Sequence, residues 1–285
     1  MKNKKGTLTT VLLIAVLLVG LGLLLYPTFS DYWNSLHQSR AIQSYTTEAS
    51  TLDTQQYEQM LLDAQAYNAR LAAQGSSYKL TDEQLAEYEG LLNLSGNGVM
   101  GYIEIPSIDC SLPVYHGTDD GVLQVAIGHL EWTSLPVGGE GSHCVLSGHR
   151  GLPSAKLFTN LDKLQKGDVF MLRVLDEQLT YEVDRILIVE PHELDALQIE
   201  DGKDYCTLVT CTPYGINTHR LLVRGHRIEN AEEVRTVRVT ADAVLIDPLT
   251  VAPIVSIPLL LLLLVLLLPN WRTHERHRGD ENDAS

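Results

Sequence analysis

The chain has 285 residues, with 21 Lys and Arg against 36 Asp and Glu, a formal net charge of −15. Such an acidic chain shows no basic groove for nucleic acid, whose phosphates demand clustered Lys and Arg. Its four cysteines form no C-x-x-C pair, so neither finger-like zinc ligation nor an essential disulfide is expected, and nothing calls for a cofactor.

Residues 1–7 carry Lys2, Lys4 and Lys5; residues 8–26 (LTTVLLIAVLLVGLGLLLY) carry no charge. Residues 251–268 (VAPIVSIPLLLLLLVLLL) are equally uncharged, and Arg272, Arg276 and Arg278 follow in the tail 269–285. As helices the two apolar stretches reach roughly 27–29 Å, about one hydrocarbon core. Short basic flanks stay inside, so a two-pass protein is expected, with both termini cytoplasmic and the middle facing outward.

Residues 27–97 read as a helical region. Tyr57, Met60, Leu61, Ala64, Tyr67 and Leu71 recur near a 3.6 period, and that helix should end near Gly75. Thr81 and Gln84 have capping-box spacing for a further helix that runs through Leu91 and Leu92. From Val99 the texture changes to short runs rich in Val, Ile, Leu and Tyr, separated by turns such as KGD and PYGIN. The class is mainly β: residues 98–230 predict a closed or nearly closed barrel, with helical insertions near 120–126 and 156–164. Residues 231–250 read as a linker back to the membrane.

The segment TLVTCTPYGINTHRLLVRGHR (207–227) brings a thiol to the end of one strand and a guanidinium to the start of the next. A cysteine nucleophile needs a base and a donor for the developing oxyanion. Strand alternation puts Thr207, Val209 and Cys211 on one face and Cys206, Leu208 and Thr210 on the other. His219 and Arg220 likewise take opposite faces. Either His219 is the base and Arg220 points away, or Arg220 is in the site and the base lies elsewhere. His149, in VLSGHRGL (145–152), is the other available base. Cys110, Cys144 and Cys206 read as small buried hydrophobes.

TLVTC at 207–211, followed by PYGIN and Arg220, resembles the signature of sortases, and SGHRG at 147–151 resembles their catalytic-histidine segment. YIEIPSIDCSLPVYHGT and GHLEWTSLPVGGEGSHCVLSGHRGLPSAKLFTNLDKLQKGD extend the likeness, over roughly residues 98–230, to class C sortases, the pilin polymerases. The resemblance implies an eight-stranded sortase barrel and cysteine transpeptidation in the membrane of a Gram-positive bacterium. It implies Cys211 as nucleophile, His149 as acid and base, Arg220 for the oxyanion or substrate, and Thr210 as a further oxyanion contributor. The implied partners are pilin or surface proteins with an LPxTG-like sorting signal, and a pilin lysine as acceptor. The alternatives are a housekeeping sortase that anchors proteins to the cell wall and a non-catalytic pilus scaffold. One departure is plain: no D-P-F or D-P-W lid tripeptide occurs between Ala72 and Gly98, which leaves Tyr78 or Tyr88 to cover the site.

Overall fold

The computed structural model describes residues 3–74 and 78–230, with side chains from residue 12 onward. Among the described residues, those up to 28 belong to one unit and those from 29 onward to a second. The expected linker 231–250, second span 251–268 and tail lie outside the described residues. Helix α1 (Asn3–Ala49) is a single helix, so no break separates the apolar stretch from the helical region expected at residue 27. Pro27 lies inside it, and the sequence between 26 and 29 offers neither glycine nor cap to end it. Among the described residues, α1 contains the one helix long and apolar enough to cross a bilayer.

Two shorter helices follow, α2 (Thr54–Gln74) and α3 (Asp82–Gly90). The expected capping box forms: Thr81 accepts from the Gln84 amide while the Gln84 side chain accepts from Thr81 N–H. Eight strands close a barrel: β1 (Val99–Ile105), β2 (Cys110–His116), β3 (Ile127–His129), β4 (Ser142–Ser147), β5 (Val169–Val174), β6 (Glu177–Val189), β7 (Asp204–Thr212) and β8 (His219–Ile228). Their order around it is β1-β2-β3-β4-β7-β8-β6-β5. The pairs β2–β3 and β4–β7 are parallel, and the other neighbours are antiparallel. The insertion expected near 120–126 is the short helix α4 (Asp120–Leu123); that near 156–164 is one 3₁₀ turn, Leu161–Lys163.

The interior is filled by alternate residues, among them Ile103, Leu146, Phe170, Tyr181, Leu208 and Val223, all buried. Burying a side chain of this size is worth roughly 1.5–3 kcal/mol. The helices dock by polar pins as well as apolar contact. Asn68 of α2 pairs with the Leu135 backbone through both of its amide atoms, at 3.0 and 2.7 Å, as a strand neighbour would. The Tyr45 hydroxyl of α1 donates to Met100 O and accepts from Leu175 N–H, at 3.0 and 2.7 Å.

β4 and β7 are buried on both faces. Inward, Cys144, Leu146, Cys206 and Leu208 join the core. Outward, Val145 and Val209 join Leu222 of β8 in a second cluster. Leu194, Ala196 and Leu197 of the β6–β7 connection cover it, with Leu130 and Trp132 of the β3–β4 connection. Two-sided burial explains why these strands read as nearly continuous apolar runs. It also forms a covered apolar strip on the outside of the barrel.

Candidate active site at the rim of β4, β7 and β8

Cys211 is the penultimate residue of β7 and is partly exposed. Its Cα partner on β8 is Arg220, and residues directly opposite in an antiparallel pair share a face. That face is the outer one, since Val209 and Leu222, two residues inward along each strand, both belong to the outer cluster. Arg220 is held by its own turn: one guanidinium nitrogen donates to His219 O at 3.1 Å and to Asn217 O at 3.4 Å. His219 pairs with Thr212 on the opposite face and makes its side-chain contact with the Thr218 hydroxyl. Of the two arrangements that strand alternation left open, the structure has Arg220 on the face of Cys211.

His149 arrives from the other side of β7. The parallel ladder pairs Cys144 with Cys206 and continues to Ser147 with Val209. Gly148 extends it, donating its N–H to Val209 O at 3.0 Å and accepting from the Thr210 hydroxyl at 2.8 Å. Continued by one residue, the same register would set His149 opposite Cys211. Glycine is required at 148: a Cβ there would lie 2.5 Å from Ile127 Cδ1 and 2.7 Å from the Phe158 ring. Thr210 therefore faces the interior with its hydroxyl committed to the Gly148 carbonyl, where it holds the His149 strand-end on β7.

Two residues that the sequence reading passed over secure this row. Arg150, with a side chain only 10% exposed, donates to Asp162 Oδ2 at 2.5 Å and to the Thr212 hydroxyl at 3.5 Å. Its guanidinium also lies over the Tyr214 ring, 5.8 Å from the centroid. It thus ties the loop after His149 to the turn after Cys211. Being in a loop, it gives no periodic signal.

His143, on the outward face of β4, bonds the Gln198 carbonyl and the Thr207 hydroxyl at 2.8 and 2.7 Å, pinning the β6–β7 connection. Burial, the largest influence, lowers its pKa. Its place two residues before Val145, in the parity of His149, was the available clue.

Of the two aromatic residues available as a cover, Tyr88 is spent in the core, bonded to His129 and to the Gly117 N–H. Tyr78 lies edge-on against Trp132, 4.9 Å between centroids, and bonds the Gln198 side chain. It stands by the wall of the outer strip. Residues 75–77 lie outside the described residues. The described residues contain no group of three His, Cys, Asp or Glu able to hold a metal.

A barrel of this strand order, with a thiol, an imidazole and a guanidinium brought to one rim, defines a class. The sortase domain model matches residues 103–228. Sortase D of Bacillus subtilis (strain 168) is 31% identical over 131 residues, 45% of this chain and just under two thirds, 63%, of that protein. The chain belongs to the sortase family, whose members are cysteine transpeptidases.

Within the family it is similar to class C members. The crystal structure of sortase C1 from Streptococcus agalactiae superposes with TM-score 0.66 at 50% identity, over 67% of this chain and all of that one. The sortase C of Streptococcus pneumoniae does so with TM-score 0.61 at 46% identity, over 67% of this chain and 97% of that one.

Proposed function

We propose that this chain is a membrane-anchored transpeptidase that cleaves an LPxTG-like sorting signal between Thr and Gly and joins the Thr carbonyl to a lysine amine of a pilin subunit. The observation that carries the proposal is the pairing of Cys211 with Arg220 across β7 and β8; the end of β4, which leads to His149, runs parallel beside β7 toward the same rim. The pilin assignment is supported by similarity to class C sortases; the Streptococcus pneumoniae structure is described for its pilin substrate specificity.

Cys211, as thiolate, attacks the Thr carbonyl carbon. The carbonyl oxygen becomes an oxyanion beside Arg220, whose charge stabilises it more than the neutral ground state. The C–N bond to Gly breaks as protonated His149 gives its proton to the departing amine, which leaves a thioester on Cys211. The lysine ε-amine then attacks the thioester and loses its proton to His149. The C–S bond breaks, the thiolate is restored and an isopeptide bond remains. Water competes for the same thioester, so the amine must be oriented to win.

The half-buried Leu130, Trp132 and Leu194, which cover Val145, Val209 and Leu222 below the reactive row, present the apolar surface that the apolar part of the signal would meet. The anchoring is a two-pass arrangement, with residues 8–26 of α1 as the first crossing and residues 251–268 as the second, both termini cytoplasmic.

The test is the full chain in detergent with a sorting-signal peptide. A mass increase equal to the N-terminal fragment, localised to Cys211 and discharged by a pilin lysine peptide, is expected. Discharge by a cell-wall amine instead would favour a housekeeping sortase; no adduct would favour a scaffold.

A further inference from the structure

Along the second unit's part of α1, Phe29, Tyr32 and Trp33 are 67%, 60% and 55% exposed. Phe29 stacks on Trp33, and Trp33 meets His37 at a tilt, at 6.4 and 5.0 Å between centroids. Successive residues turn by 100°, so 29, 32 and 33 cluster on the face opposite Asp31, Asn34, Gln38 and Tyr45. Those four reach the barrel. Asp31 accepts from the Lys156 N–H at 2.9 Å, Asn34 donates to Ser154 O at 2.8 Å, and Gln38 donates to Val125 O at 2.7 Å. Further along, past Leu36, the aromatic face turns polar: His37, Arg40, Gln43, Ser44 and Thr47. N-terminal to it in the chain lies the uncharged stretch 8–26.

An outward aromatic turn between a leucine-rich stretch and a polar one is unfavourable in water and favoured at a bilayer surface, where rings with one polar edge are enriched. We propose that Phe29, Tyr32 and Trp33 sit in the headgroup layer of the membrane. The same turns then hold residues 153–156 and Val125 against that layer. The headgroup region on each side is roughly 5–8 Å deep, and Trp33 to Gln38 spans about 7 Å of helix. Asp31 and Asn34 are about 4.5 Å apart along the axis, so their contacts at residues 154–156 fall within its depth, while Gln38, about 10.5 Å from Asp31, holds Val125 at its outer edge. Ser154 lies five residues after His149, whose carbonyl accepts from the Phe158 N–H at 3.1 Å across the same loop. The loop carrying the proposed acid and base is therefore held at the lipid surface. Val125, 43% exposed, adds an apolar contact there.

This inference rests on the membrane anchoring proposed above, and its test separates the two. The chain has three tryptophans. With Trp132→Phe and Trp271→Phe, Trp33 alone reports. The full chain is reconstituted in phosphatidylcholine–phosphatidylglycerol vesicles containing spin-labelled lipid, with the label either high or midway along the acyl chain. Flotation tests insertion. Blue-shifted Trp33 emission, quenched most by the high label, is expected. If the single-tryptophan chain does not fold, the difference between the unaltered chain and Trp33→Phe gives the same reading.

A spin label at Ser154→Cys, in a Cys211→Ala background, should be relaxed by a headgroup-anchored paramagnetic lipid. Floating chains with water-like, unquenched Trp33 would overturn the aromatic placement and leave anchoring intact. A quenched Trp33 with an unrelaxed label would overturn the loop's placement. Chains that do not float would overturn both this inference and the anchoring.

Discussion

Cys206 and Cys211 stand on the same strand, five residues apart, on opposite faces. Cys206 turns into the barrel, where Cys144 lies across the parallel ladder and His129 bonds Cys144. Cys211 turns out, opposite Arg220 and, as proposed, beside His149. Each site thus holds a thiol and an imidazole. Burial pushes the Cys206 thiol well up. Burial raises that of Cys144 too, but hydrogen bonds from Cys206 and His129 outweigh it and bring it down to about 6. Yet Cys144 is 2% exposed and Cys206 fully buried. A low thiol pKa does not make a nucleophile where no carbonyl can enter; the open row at the rim gains its chemistry from access.

The harshest way to break this comparison is to delete each sulfur in turn. Cys211→Ala should abolish the thioacyl adduct and all transfer, by mass spectrometry and product assay. Cys206→Ala should leave adduct formation close to native in the protein that folds. If Cys206→Ala also removed the adduct while Cys211→Ala kept it, the two sites would have been assigned the wrong way round.

The histidines come next. His149→Ala should lower kcat/KM by about 10²–10⁴, the usual worth of a general acid and base. His129 sits fully buried, bonded to Tyr88 and, through Nε2, to Ser134 O at 2.8 Å. His129→Ala should lower the unfolding midpoint by the cost of unmet buried partners, about 1–3 kcal/mol each, and leave per-molecule turnover largely intact.

Arg220→Ala should cost about 10²–10³ in kcat, as removal of an oxyanion donor does. Arg150→Gln tests the tie between the His149 loop and Thr212. It should lower kcat with KM little changed, and Arg150→Lys should recover part of the loss, whereas a role in folding alone would move the unfolding midpoint and not kcat.

Much of this architecture was legible in the chain. The periods of α2 and the capping box at Thr81 are local signals, and both appear as read. Alternation along 204–212 sorted Cys206 from Cys211 because β7 is regular there. It could not choose between His219 and Arg220 beside Cys211, since that needs the β7–β8 register across the Pro213 turn. Nor could it reveal that Cys144 and Cys206 are neighbours. The ladder that joins them is parallel, between strands about 60 residues apart in sequence, and no local pattern encodes it. Arg150 stayed hidden because its partners, Thr212 and Asp162, come from separate segments.

The mildest effect is on acid stability. His143 on the outer face and His116 on the inner one both have lowered pKa values, burial being the first cause of each. His116 bonds Gly98 O and Leu91 O and faces His129 and Glu89; His143 faces Arg224, Glu200 and Asp184. A depressed histidine binds its proton less readily folded than unfolded, so stability rises with pH below the unfolded value. The contribution is complete above roughly pH 6.5 and declines as pH falls beneath it, by up to about 1.4 kcal/mol per pH unit for each histidine. Denaturant midpoints measured from pH 7.5 to 5 should therefore fall with acidification. His143→Gln cannot titrate and should flatten that slope in part, leaving the share of His116. An unchanged slope in the variant would mean that His143 takes up its proton while folded, by releasing Gln198 and loosening the wall over the outer strip. Substrate affinity would then change over the same pH range.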